Sequence, residues 1–192
     1  MEKERKRLLD RFHRRLEKFL AHHPWWAKRY AGFFEKMTVD EFSMVPLPKG
    51  SKVLNIGCGS FPYTIFTLAR VRGWSIVGVD RDEDAVRNAK KMVESYHLTS
   101  MVEIRWSEGL KVDVSGFDLI LVSHGVEPKL EVLCELAEHM KPGGFIFYRT
   151  ICKKLELVYG CEPIPDCFRV YGEFVRNDGL KSLLLVRNEN PK

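Results

Sequence analysis

A short apolar run that ends in a glycine turn, with an acid downstream, constrains this chain more than any other feature. Val53-Leu54-Asn55-Ile56 reads as a buried strand. Gly57-Cys58-Gly59-Ser60-Phe61-Pro62 follows it directly, and a helix is expected from about Tyr63. Glycines at such a turn let backbone amides approach a ligand, and the helix N-terminus favours negative charge. Ser75–Asp80 reads as a second strand and ends on Asp80, 21 residues beyond Gly59. An acid at that strand tip is placed to accept hydrogen bonds from ribose hydroxyls. A glycine pair alone marks only a tight turn. Strand, loop, helix and acid together point to nucleoside binding.

The same grammar continues. A helix is expected over Glu83–Tyr96, with Ala85, Val86, Ala89 and Val93 inward. Strands are expected at Met101–Trp106 and Phe117–Ser123, a helix over Pro128–Met140, and a strand at Phe145–Arg149 after Lys141-Pro142-Gly143-Gly144. Alternating strands and helices predict a parallel sheet with right-handed crossovers. The ending differs. Phe168–Arg176 and Leu180–Arg187 are both strand-like, and Asn177-Asp178-Gly179 between them is a hairpin signal. The expected fold class is α/β, a Rossmann-like sheet closing on an antiparallel pair.

Over residues 46–188 the chain resembles the class I S-adenosylmethionine-dependent methyltransferases. The resemblance rests on Val53-Leu-Asn-Ile-Gly-Cys-Gly59, Val77-Gly-Val-Asp80, Phe117-Asp-Leu-Ile-Leu-Val122, Met140-Lys-Pro-Gly-Gly144 and the terminal hairpin. It implies a seven-stranded sheet whose last strand is antiparallel, with S-adenosylmethionine as cofactor. Gly57 and Gly59 would face the methionine part, Asp80 would hold the ribose, and Glu108 would meet the adenine amine. Asn55 and Arg81 complete the implied cofactor-binding set, and Ser123 and His124 would border the transfer site. Asn55 stands where the family usually has an acid, and Phe61 replaces the usual third glycine. These departures, with Arg149-Thr150 after the fifth strand, resemble the nicotianamine synthase-like branch, whose members transfer the aminocarboxypropyl group of the same cofactor. A nicotinamide dehydrogenase shares Gly-x-Gly and Asp80, but the missing third glycine and the C-terminal hairpin argue against it.

Methyl transfer from a sulfonium has a neutral leaving group, so the protein mainly positions the nucleophile and strips its water. The candidate catalytic residues are His124, Ser123 and Glu127. His124 is placed to orient or deprotonate an acceptor, against a plain loop hydrogen bond. Glu127 reads first as the cap of the Pro128 helix and second as a substrate contact. Tyr63 lines the cofactor pocket or packs; Trp106 reads as core or as adenine-pocket wall. Cys58 reads as a small loop residue without thiolate chemistry.

The charge is uneven. Residues 1–30 hold ten Lys/Arg and four Asp/Glu, a charge of +6 within a total of +5, which leaves −1 for the remainder. Leu8, Leu9, Phe12, Leu16, Phe19 and Leu20 form an apolar helical stripe, Pro24 interrupts it, and Trp26, Tyr30, Phe33, Phe34 and Met37 form a second. Thr38 and Glu41 have the spacing of a capping box for a third short helix. Residues 1–45 are therefore expected to be a basic helical extension on a cofactor-binding domain at 46–192. Arg7, Arg11, Arg14, Arg15 and Lys18 would contact phosphates and Trp26 a base, so RNA, ribosomal or transfer, is the expected partner, with N-methylation of a base, a cytidine amine among the options, as the expected reaction. The Ser123-His124-Gly125-Val126 stretch lacks the Pro-Pro-aromatic signature of nucleic-acid amino-methylating enzymes, which leaves a small-molecule acceptor open. Cys161 and Cys167 bracket five residues, a spacing for a disulfide; no histidine completes a metal set, and no metal is expected. The absence of glutamine beside abundant charge is a thermophile habit. With no apolar signal core at the N-terminus, the expected location is cytoplasmic.

Overall fold

Seven strands lie in one sheet in the order β3-β2-β1-β4-β5-β7-β6. In the computed structural model they are β1 (Lys52–Ile56), β2 (Ser75–Asp80), β3 (Val102–Trp106), β4 (Leu119–Val122), β5 (Phe145–Ile151), β6 (Phe168–Val175) and β7 (Leu180–Arg187). The helices are α1 (Pro24–Glu41), α2 (Tyr63–Arg72), α3 (Glu83–Ser95) and α4 (Lys129–His139), with a 3-10 turn at Phe42–Met44. The structure describes residues 24–108, 111–151, 163–176 and 179–188, with the backbone alone for 24–31 and 33. The expected stripe at Leu8–Leu20, the basic residues Arg7, Arg11, Arg14, Arg15 and Lys18, the Trp26 side chain, Cys161 and the Asn177-Asp178 tip lie outside these.

Strands β1 to β5 are parallel, while β7 runs antiparallel to β5 and to β6. The strand order reverses between β1 and β4, so a crevice opens beyond their C-terminal ends. Period-two alternation sends neighbouring side chains to opposite faces. Val53 and Phe147 join Phe42, Ile65 and Trp74 under α2 and α3; Leu54 and Tyr148 join Ile120, Leu133 and Leu136 under α4.

The extension's end is built into the first of these layers. The Phe42 ring stacks on Phe147 with centroids 3.9 Å apart. Arg72, in the last turn of α2, donates to the carbonyls of Phe42, Val45 and Leu47 at 3.0, 2.7 and 3.2 Å. The expected capping box does not form. Helix α1 runs unbroken through Thr38 to Glu41, and Glu41 makes no capping hydrogen bond to the 3-10 turn. The physical reason is a stronger claim on its carboxylate. Glu41 is fully buried against Arg149, 108 positions away in sequence.

Candidate functional site

Strand β1 delivers its last residue to a loop that only glycine fits. Gly57 has φ +76°, and a Cβ there would stand 2.7 Å from Val126 Cγ2. The Gly57 and Cys58 amides donate to the Val79 carbonyl at 2.9 and 3.0 Å, which folds the loop over the end of β2. Gly59, at φ +71°, turns its amide onto Asp80 Oδ2 at 2.9 Å. The Asp82 amide donates to Asp80 Oδ1 at 3.0 Å. Each oxygen of Asp80 is thus oriented by one amide. A carboxylate has about four lone-pair positions, so acceptor capacity remains toward the crevice. Those open acceptor positions fit the two hydroxyl donors of a ribose diol.

Asn55 is buried on the crevice floor. Its Nδ2 donates to Ser123 Oγ at 2.9 Å and lies 3.2 and 3.4 Å from the Ile56 and Leu121 carbonyls. It therefore ties the C-terminal ends of β1 and β4 together. An amide supplies the donors this place needs; a carboxylate there would face two carbonyl oxygens. Asn55, Gly57, Gly59, Asp80 and Ser123 are brought to one rim of the sheet, with His124 next to Ser123.

The tip of β3 is open. Trp106 is 54% exposed at the tip of β3, so it is not core, and its Nε1 donates to the Arg81 carbonyl at 3.0 Å. The Ser107 amide donates to the Asp80 carbonyl at 3.1 Å. Glu108 is exposed and pairs with Lys111 at 2.6 Å. The Lys111 hydrogen bond holds its carboxyl below the usual range. Beyond β4, Pro128 takes the N-cap position of α4 and leaves Glu127 one residue too early to cap it. Tyr63 starts α2 and lies against Phe34 of α1, with ring centroids 5.6 Å apart.

Several groups near the crevice were not among the expected site residues. Lys129 is buried at the start of α4, its Nζ 5.4 Å from the Tyr148 ring centroid. Arg149 is buried in β5 and meets Glu41, Thr64 and Phe42. A signal for it exists in the sequence: an arginine within Phe-Ile-Phe-Tyr-Arg-Thr-Ile needs a counter-ion. A surface depression of about 480 Å³ between Lys52, Ser75, Met101 and Phe117 is at the opposite rim and holds none of the crevice residues.

Residues 53–144 match the family model described as a methyltransferase domain. A ubiquinone biosynthesis O-methyltransferase of Coxiella burnetii is 30% identical over 141 residues, 67% of this chain and 58% of that protein. The chain thus spans a little over half the length of the curated relatives it matches. Among solved structures, a glutamate-to-glutamine mutant of MtNAS in complex with S-adenosylmethionine has a TM-score of 0.82. It is 21% identical, over 94% of this chain and 75% of that one. An RNA methyltransferase from Salinibacter ruber in complex with S-adenosyl-L-homocysteine has a TM-score of 0.64 at 17% identity, over 82% of this chain and 94% of that one.

Proposed function

From the methyltransferase-domain match over residues 53–144 and the 30% identical relative, we propose that this chain is a class I S-adenosylmethionine-dependent methyltransferase that binds S-adenosylmethionine in the crevice between Gly57 and Asp80 and methylates a small-molecule acceptor. The observation that carries the cofactor is the Asp80 carboxylate, oriented by the Gly59 and Asp82 amides across the glycine loop. When bound, the cofactor supplies an electrophilic methyl carbon on a sulfonium. The chain's own residues do the positioning. Gly57 and Gly59 keep the loop low, Asp80 fixes the ribose, and Trp106, Arg81 and Glu108 border the base. Asn55 holds Ser123, and with it the start of the β4–α4 loop that carries His124 and Glu127 to the acceptor. His124 orients the acceptor nucleophile or takes its proton.

The small acceptor draws its support from relatives with names such as ubiquinone biosynthesis O-methyltransferase and trans-aconitate 2-methyltransferase. Two other readings rest on specific observations. Asn55, Phe61 and Arg149-Thr150 resemble the nicotianamine synthase-like branch, which favours transfer of the aminocarboxypropyl group. The +6 charge of residues 1–30 favours RNA as the acceptor.

Product analysis separates these. Adenosylhomocysteine is expected from methyl transfer, whereas methylthioadenosine would establish aminocarboxypropyl transfer instead. Asp80→Ala is expected to weaken cofactor binding by about 1–3 kcal/mol, the scale of a lost charged hydrogen bond. His124→Ala should slow single turnover with cofactor affinity unchanged. Wild-type affinity in a folded Asp80→Ala protein, measured by calorimetry, would remove the crevice from consideration.

A further inference from the structure

Beneath the first turn of α2 is a charged cluster that the reaction above does not use. Glu41, at the end of α1, accepts from Arg149 Nε at 3.0 Å and Nη2 at 2.7 Å, a two-pronged pair. The Ser182 hydroxyl donates to the same carboxylate, and Arg176 Nη1 lies 3.4 Å from it. The remaining prong of Arg149, Nη1, donates to Thr64 Oγ1 at 3.1 Å. All of these side chains are buried.

The pair has a direction. Glu41 neutralises the Nε–Nη2 side of the guanidinium and leaves the Nη1 edge facing α2. Thr64 is the second residue of that helix, one turn past the glycine loop. Pro62 stands at the N-cap and offers no side-chain cap, so the amides of this turn depend on other acceptors. A buried ion pair is weak evidence for stability, since apolar residues of similar volume often serve as well. The aim of Nη1 at the helix that faces the cofactor is what asks for explanation.

We propose that Arg149, held by Glu41, is a positioning residue for the aminocarboxypropyl end of the cofactor. Through Thr64 it fixes the first turn of α2. It also places the positive edge of a buried dipole beneath the amides that would receive a carboxylate. The inference rests on the cofactor reading above and assigns the pair a role in discriminating between adenosyl ligands.

The test compares S-adenosylhomocysteine with methylthioadenosine, which keeps the adenosine and sulfur but lacks the amino acid chain. Thr64→Val removes the acceptor for Nη1 at nearly constant shape. The triple variant Glu41→Met, Arg149→Met and Arg176→Met removes the charged cluster together, so that no buried cation is left facing a lost carboxylate. Calorimetry on both, with folding checked by circular dichroism, is expected to show adenosylhomocysteine weakened roughly tenfold and methylthioadenosine nearly unchanged. An unaltered ratio of the two affinities in both folded variants makes the cluster scaffold and overturns the inference. A wild-type protein that binds neither ligand overturns the cofactor reading and this inference with it. A wild type that binds both equally overturns the inference and leaves the cofactor reading standing.

Discussion

At Gly57 two constraints coincide: a positive φ, and a neighbour, Val126, where a Cβ would go. Gly57→Ala should therefore destabilise the fold by about 1–3 kcal/mol, the usual scale of backbone strain and overpacking. The two causes separate in a double variant. Val126→Ala relieves the clash but not the φ, so it should restore part of the stability and not all of it. Full recovery in urea denaturation would show that the left-handed backbone costs nothing at this position. Asp80 depends on the same loop, because Gly59 supplies one of its two orienting amides. Loss of cofactor affinity in Gly57→Ala beyond that explained by unfolding is expected for that reason.

Among the elements, β4 is anchored by the residue just before it. The Asp118 amide donates to the Lys52 carbonyl, and Asp118 Oδ2 accepts from the Lys52 amide at 2.7 Å. Its other oxygen pairs with Lys141, in the turn that leads into β5. One side chain thus joins the starts of β1, β4 and β5. Partial burial pushes the Asp118 carboxyl up, but Lys141 and the Lys52 amide outweigh it and hold the group below its ordinary range. A depressed carboxylate contributes stability above its unfolded value, near 3.8, and loses it as pH falls through the folded value. Asp118→Asn is thus expected to cost about 1 kcal/mol at neutral pH, with the gap to wild type closing in strong acid. A gap independent of pH in thermal melts would contradict the ion-pair account.

For the whole molecule the unequal charge is the open quantity. A +6 segment on a −1 remainder should attract polyanions through counterion release, with steep salt dependence. Replacing Arg7, Arg11, Arg14 and Arg15 by Gln is expected to weaken RNA binding and flatten its salt slope, with cofactor affinity unchanged. If the folded variant modifies RNA at the wild-type rate across salt concentrations, the charge serves another purpose. A small-molecule enzyme should be indifferent to these substitutions. Among the described residues no helix is long and apolar enough to cross a membrane.

The succession of strands and helices and the glycine loop with Asp80 at the next strand tip were legible in the sequence. Each is written in local terms: apolar period, glycine at a turn, an acid at a strand tip. Element ends moved by only a few residues, as at β5, which continues to Ile151 because β7 pairs along its whole length. Where distant residues meet was not legible. Thr38 and Glu41 have the spacing of a cap, and nothing nearby says that Arg149 will claim Glu41 instead. Trp106 reads as core or as pocket wall, and only the sheet order excludes the core, because β3 is an edge strand. The amides that orient Asp80, the Asn55 bridge from β1 to β4 and the Glu41–Arg149–Thr64 chain depend on strands adjacent in space and far apart in sequence. Local sequence sets which residues must be buried; only the assembled sheet decides which buried polar groups become partners, because each must find a hydrogen bond where water is excluded.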